Sequence, residues 1–182
     1  MNIRDNSKIL LGNNAFDKIF SMDCEHISKY LGILERFGGI ESEPFTINDI
    51  CKALKISNKE AIEIIEVLKT VNLIDICNDE FVLIDYRNNE NRITLNRATL
   101  CCLLKYYNLS PEDIVVAIGL LYLSQCNDGK LINPNYLKNK LLIDNETFEL
   151  SISKLENKNL IRVNETFLED EFIKITNYEI YF

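Results

Sequence analysis

Shifted by 87 residues, this sequence lies over itself without a gap from about residue 18 to residue 163. Asn48, Leu54, Ile56 and Asn58 fall on Asn135, Leu141, Ile143 and Asn145, and Asn72-Leu73-Ile74 falls on Asn159-Leu160-Ile161. Upstream, Glu25, Ile27, Gly32 and Leu34 meet Glu112, Ile114, Gly119 and Leu121. The matches fall on apolar positions at helical spacing, where a chance register has no reason to put them. A period this long means one small domain per repeat, since solenoid repeats run to roughly 20–50 residues. The 182 residues are therefore expected to form two domains, 1–86 and 99–182, joined by a polar linker at 87–98 that carries Arg87, Arg92 and Arg97.

Composition sets limits on what such domains do. At 47% hydrophobic and 26% charged, each repeat can bury a core of ordinary soluble type. The longest apolar run, Ile114 to Leu123, contains Gly119 and falls well short of the roughly 18 residues that cross a bilayer. It reads as a buried helix, and no membrane partner is expected. Met1-Asn2-Ile3-Arg4-Asp5 lacks the order of a secretory signal, which points to the cytoplasm. Cys24, Cys51, Cys77, Cys101, Cys102 and Cys126 include no C-x-x-C pair, and His26 is the only histidine. The cysteines read as reduced and structural, His26 as a helix-terminus residue, and no metal is expected. With no nucleophile–base pair and no Gly-rich phosphate loop, neither enzymatic activity nor a cofactor is expected.

Local signals give each repeat the same plan. In the second, Ser110-Pro111-Glu112-Asp113 combines an N-cap serine, proline at the first helical position and acids in the first turn. Asn127-Asp128-Gly129 breaks that helix, Lys130-Leu131-Ile132 is a short extended piece, and Asn133-Pro134 starts a second helix bearing Leu137 and Leu141. A third helix, about Glu146 to Lys158, carries Phe148, Ile152 and Leu155 on one face. Leu160 to Val163 is a strand, Asn164 to Glu171 a loop, and Phe172 to Ile175 the return strand.

The first repeat has a helix from Asp23 to Phe37, a short strand at Phe45, a capping pair Thr46/Asp49, and a capping box Ser57/Glu60 before its third helix. Strands Leu73–Ile76 and Phe81–Ile84 flank a tip at Cys77 to Glu80. An additional helix precedes each core, at Asn14–Phe20 and Thr99–Tyr107, and Ile93 and Leu95 could dock onto a neighbour. The fold class is mainly α with small β-hairpins (α+β), arranged as two tandem winged helix-turn-helix domains.

Such a domain usually reads DNA with its third helix while the wing touches phosphate, and both surfaces then carry Lys and Arg. Here the third helices carry Glu60, Glu63 and Glu66, and Glu146, Glu149 and Glu156. The second wing has Glu165, Glu169, Asp170 and Glu171, and the net charge is −8, which opposes long-range steering of a polyanion. The basic residues collect elsewhere. Lys52, Lys55 and Lys59 lie around the first helix-turn-helix, Lys138 and Lys140 near the second, and Arg87, Arg92 and Arg97 in the linker. These eight are the candidate nucleic-acid-binding residues. The alternative is that they are solvated faces of an acidic protein.

The segment from Leu103 to Val163, with "LSPEDIVVAIGLLYL", Asn133-Pro134 and the "NKNLI" run into the wing, resembles the N-terminal winged-helix domain of the bacterial replication-initiation protein DnaD. That resemblance implies self-association and partner contacts in primosome assembly. The separate DNA-binding tail of that family has no counterpart here. The tandem acidic architecture is also similar to segregation and condensation protein B, which grips other proteins. The expected partners are therefore DNA, a protein or a second copy of the chain. The expected role is that of a regulator or assembly factor in replication initiation or transcription, acting as a dimer, or alternatively that of a protein-interaction adaptor.

Overall fold

Helix starts are set by side chains that accept from otherwise unpaired backbone amides. Asp23 caps α2 (Cys24–Phe37), Thr46 caps α3 (Ile47–Leu54) and Ser57 caps α4 (Asn58–Thr70). The computed structural model describes residues 8–38, 43–84, 92–126, 134–168 and 173–182. Among them the chain is mainly helical, with eight helices and three two-stranded antiparallel sheets. It divides into two compact units, Met1–Asn108 and Leu109–Phe182.

In unit 1, β1 (Lys8–Gly12) runs directly into α1 (Asn13–Ile19), and α2, α3 and α4 follow. The helices bury Phe16, Ile27, Tyr30, Leu31, Ile50, Ile64 and Leu68. Each buried aliphatic or aromatic side chain of this size contributes roughly 1.5–3 kcal/mol. A Cβ on Gly32 would meet Leu54 Cδ2 at 2.5 Å, so α2 and α3 are in close approach there. The hairpin β2 (Ile74–Cys77) and β3 (Glu80–Leu83) closes the core. Its tip is the two-residue turn Asn78-Asp79, both at positive φ (50° and 64°), shorter than the expected Cys77–Glu80 because those two residues pair. Phe45 joins the hairpin by two reciprocal backbone bonds with Phe81, at 2.9 and 2.8 Å. Its ring stacks on Phe37 at 4.8 Å and lies 6.0 Å from Phe81.

The described part of the expected linker, 92–98, is structured. Residues 92–96 form β4 (Arg92–Asn96), which pairs antiparallel with β1, and 97–98 open α5 (Arg97–Lys105). Leu95 is buried, and Lys105 donates to Glu35 of α2 at 2.9 Å. Helix α5 therefore belongs to unit 1, and the unit boundary moves from the expected 87–98 to Asn108/Leu109.

Unit 2 repeats the order with α6 (Pro111–Cys126), α7 (Pro134–Leu141) and α8 (Asn145–Asn157). Helix α6 is buried from Asp113 through Leu120, in keeping with its continuous apolar run. A Cβ on Gly119 would meet Leu137 at 2.8 Å and Leu141 at 3.2 Å, and Leu141 is the counterpart of Leu54. The hairpin is longer than expected. Strand β5 (Ile161–Leu168) continues through most of the expected loop, and β6 (Ile173–Ile180) runs five residues past Ile175. Both hairpins close at the base with the same bond, Ile84 N to Leu73 O (3.0 Å) and Tyr181 N to Leu160 O (2.9 Å). Asn72 and Asn159 make the left-handed turn before each strand (φ 59° and 55°), a conformation asparagine tolerates. The breaker Asn127-Asp128-Gly129 and the extended piece at Lys130–Ile132 lie outside the described residues.

Candidate nucleic-acid interface

Two helices joined by a left-handed residue form the candidate surface of unit 1. Lys55 is that residue, at φ 57°. On one side Asp49 N donates to Thr46 Oγ1 (3.3 Å) and Thr46 N to Asp49 Oδ2 (3.0 Å). On the other, Glu60 N donates to Ser57 Oγ (3.3 Å) and Ser57 N to Glu60 Oε2 (2.9 Å). Hydrogen bonds from Thr46 hold the Asp49 carboxyl below its usual range, and those from Ser57 do the same for Glu60. Both acids face helix N-termini, where the helix dipole favours negative charge. Lys52, Lys55 and Lys59, in contrast, are exposed around the turn. Of the eight candidates, these three are brought together on one segment facing solvent.

The other five fare differently. Lys138 is half-buried and lies 5.7 Å over the Phe148 ring, so its charge is drawn onto its own unit. Lys140 is half-buried. The positions equivalent to Lys52, Lys55 and Lys59 in unit 2 are Asn139, Leu142 and Glu146. Arg97 is corrected from linker cation to internal cap. Its guanidinium donates to the carbonyls of Gly38 and Arg36 at the end of α2, and its Nε is buried without a partner among the described residues. Orphan carbonyls at a helix C-terminus attract a cation, and β4 delivers this one there. Arg92 pairs with Gly12 through its backbone, and its side chain lies outside the described residues, as does all of Arg87.

A shallow hollow of about 520 Å³ adjoins the turn, between the start of α3, the α4 face and the hairpin tip. Asn48, Asn58 and the 44%-exposed Ile62 line it together with Thr46, Asp79 and Phe81. Amide side chains can donate and accept toward base edges. Both asparagines recur in the repeat, at Asn135 and Asn145, and that recurrence was the available signal for them. Farther along α4, Glu63 and Glu66 are exposed.

Unit 1 carries 16 acidic and 13 basic residues, and unit 2 carries 12 and 7. Unit 2 is the more acidic, and it exposes Tyr136 (50%), Leu142 (79%) and Leu150 (65%). Among the described residues no group of His, Cys, Asp or Glu is placed to hold a metal, and no helix is long and apolar enough to cross a membrane. None of the six cysteines is in a disulfide. No protein-family model and no curated protein matches this chain.

Proposed function

We propose that each unit is a winged helix-turn-helix module and that the chain is a non-catalytic, DNA-associated assembly factor of DnaD-like type, acting in replication initiation or transcription. Its DNA contact is the α3–turn–α4 segment of unit 1. The observation that carries this reading is the exposed set Lys52, Lys55 and Lys59, beside acids whose carboxylates are turned toward helix N-termini. The order helix, bridging strand, helix, turn, helix and hairpin supports the module assignment, with Phe45 as the bridging strand. Three lysines on phosphate give a slope of about −3 in log K against log salt. The experiment is a salt titration of duplex and single-stranded DNA binding. Replacing all three lysines with Gln is expected to flatten the slope to near zero, and Lys138→Gln with Lys140→Gln to leave it unchanged. No salt-dependent binding at low ionic strength would remove the DNA contact.

A second reading, a protein-interaction adaptor similar in architecture to segregation and condensation protein B, is favoured by one observation. Unit 2 exposes Tyr136, Leu142 and Leu150 where unit 1 has Asp49, Lys55 and Glu63. Large apolar side chains held in water on a helix-turn-helix mark a protein contact more than a phosphate contact. Leu142 is also held at φ 54°, a conformation that disfavours bulky side chains. Affinity capture with and without nuclease separates the two readings. Partners lost on nuclease treatment belong to the first.

A further inference from the structure

The β1–β4 ribbon lies outside the helix-turn-helix modules, and the DNA reading makes no use of it. Strand β1 with α1, and β4 with α5, are copies of one another at a spacing of 84 residues. Lys8, Ile9 and Leu11 correspond to Arg92, Ile93 and Leu95, and the helix-capping positions are Gly12 and Asn96. In the helices that follow, Phe16 and Ile19 correspond to Leu100 and Leu103, and all four are buried, at 0, 0, 1 and 1% exposure. Each copy is thus a strand that passes directly into a helix, with apolar residues at matching positions of both.

The two copies pair with each other antiparallel, which makes the contact two-fold, and the register sets where its axis falls. Leu10 faces its own counterpart, Thr94. Lys8 faces Asn96, the counterpart of Gly12, and Gly12 faces Arg92, the counterpart of Lys8. Ile9 faces Leu95, and Leu11 faces Ile93, in the same reciprocal way. Residue i meeting j while the copy of i meets the copy of j is the rule of an isologous two-fold contact. A one-residue slip of the register would move the axis off the Leu10–Thr94 pair and turn the buried Ile9, Leu11 and Leu95 to the opposite face.

We infer that β1–α1 and β4–α5 are two pairing arms of one kind, and that the ribbon is a two-fold homodimer contact made inside a single chain. The partner that fits each arm is another copy of the same arm. While both are present the contact closes internally, and the chain does not use this ribbon to self-associate. An arm that loses its internal partner exposes an unpaired strand edge with a buried-type apolar face, and a second copy of the chain is the partner that covers it.

The test uses the full-length chain carrying Thr94→Cys, with cross-links located by mass spectrometry against the native thiols. With Leu10→Cys added, oxidation is expected to link positions 10 and 94 within one chain, at monomer mass by light scattering. Ile9→Asp with Leu11→Asp puts charges on the buried face of β1 and ejects it. That variant is expected to double in mass, with position 94 of one copy linked to position 94 of the other, because Thr94 lies on the axis. A folded variant that stays monomeric would overturn the inference. Should the variant unfold, the Leu10→Cys, Thr94→Cys chain is refolded at rising protein concentration. Intermolecular 10–94 links that grow with concentration are then expected, and intrachain links alone at every concentration would overturn it.

Discussion

The two units run through the same helices and hairpin, yet they begin them differently. In unit 1, Asp23 caps α2 and its carboxylate meets His26 Nδ1 at 2.6 Å, with Asp23 itself 64% exposed. In unit 2 the equivalent pair is Ser110 and Asp113. Ser110 N donates to Asp113 Oδ2 at 2.7 Å, and Lys154 of α8 supplies an ammonium to the same carboxylate. Val67 stands where Lys154 would be in unit 1. One backbone plan thus tolerates a solvated Asp–His cap in one copy and a part-buried Asp–Lys ion pair in the other. The turn surfaces diverge in the same manner, with lysines at 52, 55 and 59 against Asn139, Leu142 and Glu146. What the copies share is what backbone and core require: Gly32 and Gly119 against Leu54 and Leu141, and asparagines at the positive-φ positions 72 and 159. What they do not share is where charge and apolar surface meet solvent.

The largest difference between the units is expected at the helix starts. Asp113→Ala leaves Lys154 without its anion and the Ser110 amide without its acceptor. A cost of about 2–3 kcal/mol is expected, below that of a fully buried pair because the Lys154 side chain is 39% exposed. Its counterpart His26→Ala is expected to cost under about 0.5 kcal/mol, as exposed pairs do. Hydrogen exchange at α6 and α2 amides reads the two units separately, and equal losses would break the contrast.

The glycines come next, and there the units should agree. Gly32→Ala and Gly119→Ala each force a leucine aside, at a cost of about 1–2 kcal/mol in thermal unfolding. A cost at only one site would show that the two close approaches are not equivalent.

Acid is expected to separate the units again, more weakly. Burial on its own would raise the Asp113 carboxyl, but the Lys154 ammonium and the Ser110 and Ser151 donors outweigh it and hold the group below the usual carboxylate range. A depressed native value means stability that is fully present above the unfolded value of about 4 and is lost as pH falls through the native one. Asp23 is likewise lowered, with burial opposed by its bonds to His26, but its exposure screens the effect. As pH falls below about 4, exchange protection should therefore fall faster in α6 than in α2, and Asp113→Asn should abolish the difference.

The helices were legible from sequence because their signals are local. Thr46/Asp49 and Ser57/Glu60 announce helix starts within four residues, and Ile114–Leu123 announces a helix buried all round. In the arms the helices α1 and α5 were legible, but the strands were not. Arg92-Ile93-Thr94-Leu95-Asn96 alternates as a strand should, but its partner β1 lies 84 residues upstream, so polar neighbours made it look like tether. The extra length of β5 was hidden in a stretch dense in acids, where charge suggested loop. In the candidate site, Lys52, Lys55 and Lys59 followed from the turn they flank; Asn48 and Asn58 were marked only by recurring in the repeat, and Ile62 became visible only once α3, α4 and the hairpin tip enclosed the hollow.

Sequence alone determined that this chain repeats itself, where most of its helices begin, and much of each helical core. Periodicity, capping and apolar spacing act over one or two helical turns, and each repeat states them independently. Only the tertiary structure decided which cations meet solvent. Arg97 and Lys52 look alike in the chain, but strand pairing across 84 residues turns the first onto the carbonyls that end α2, and nothing turns the second away from water.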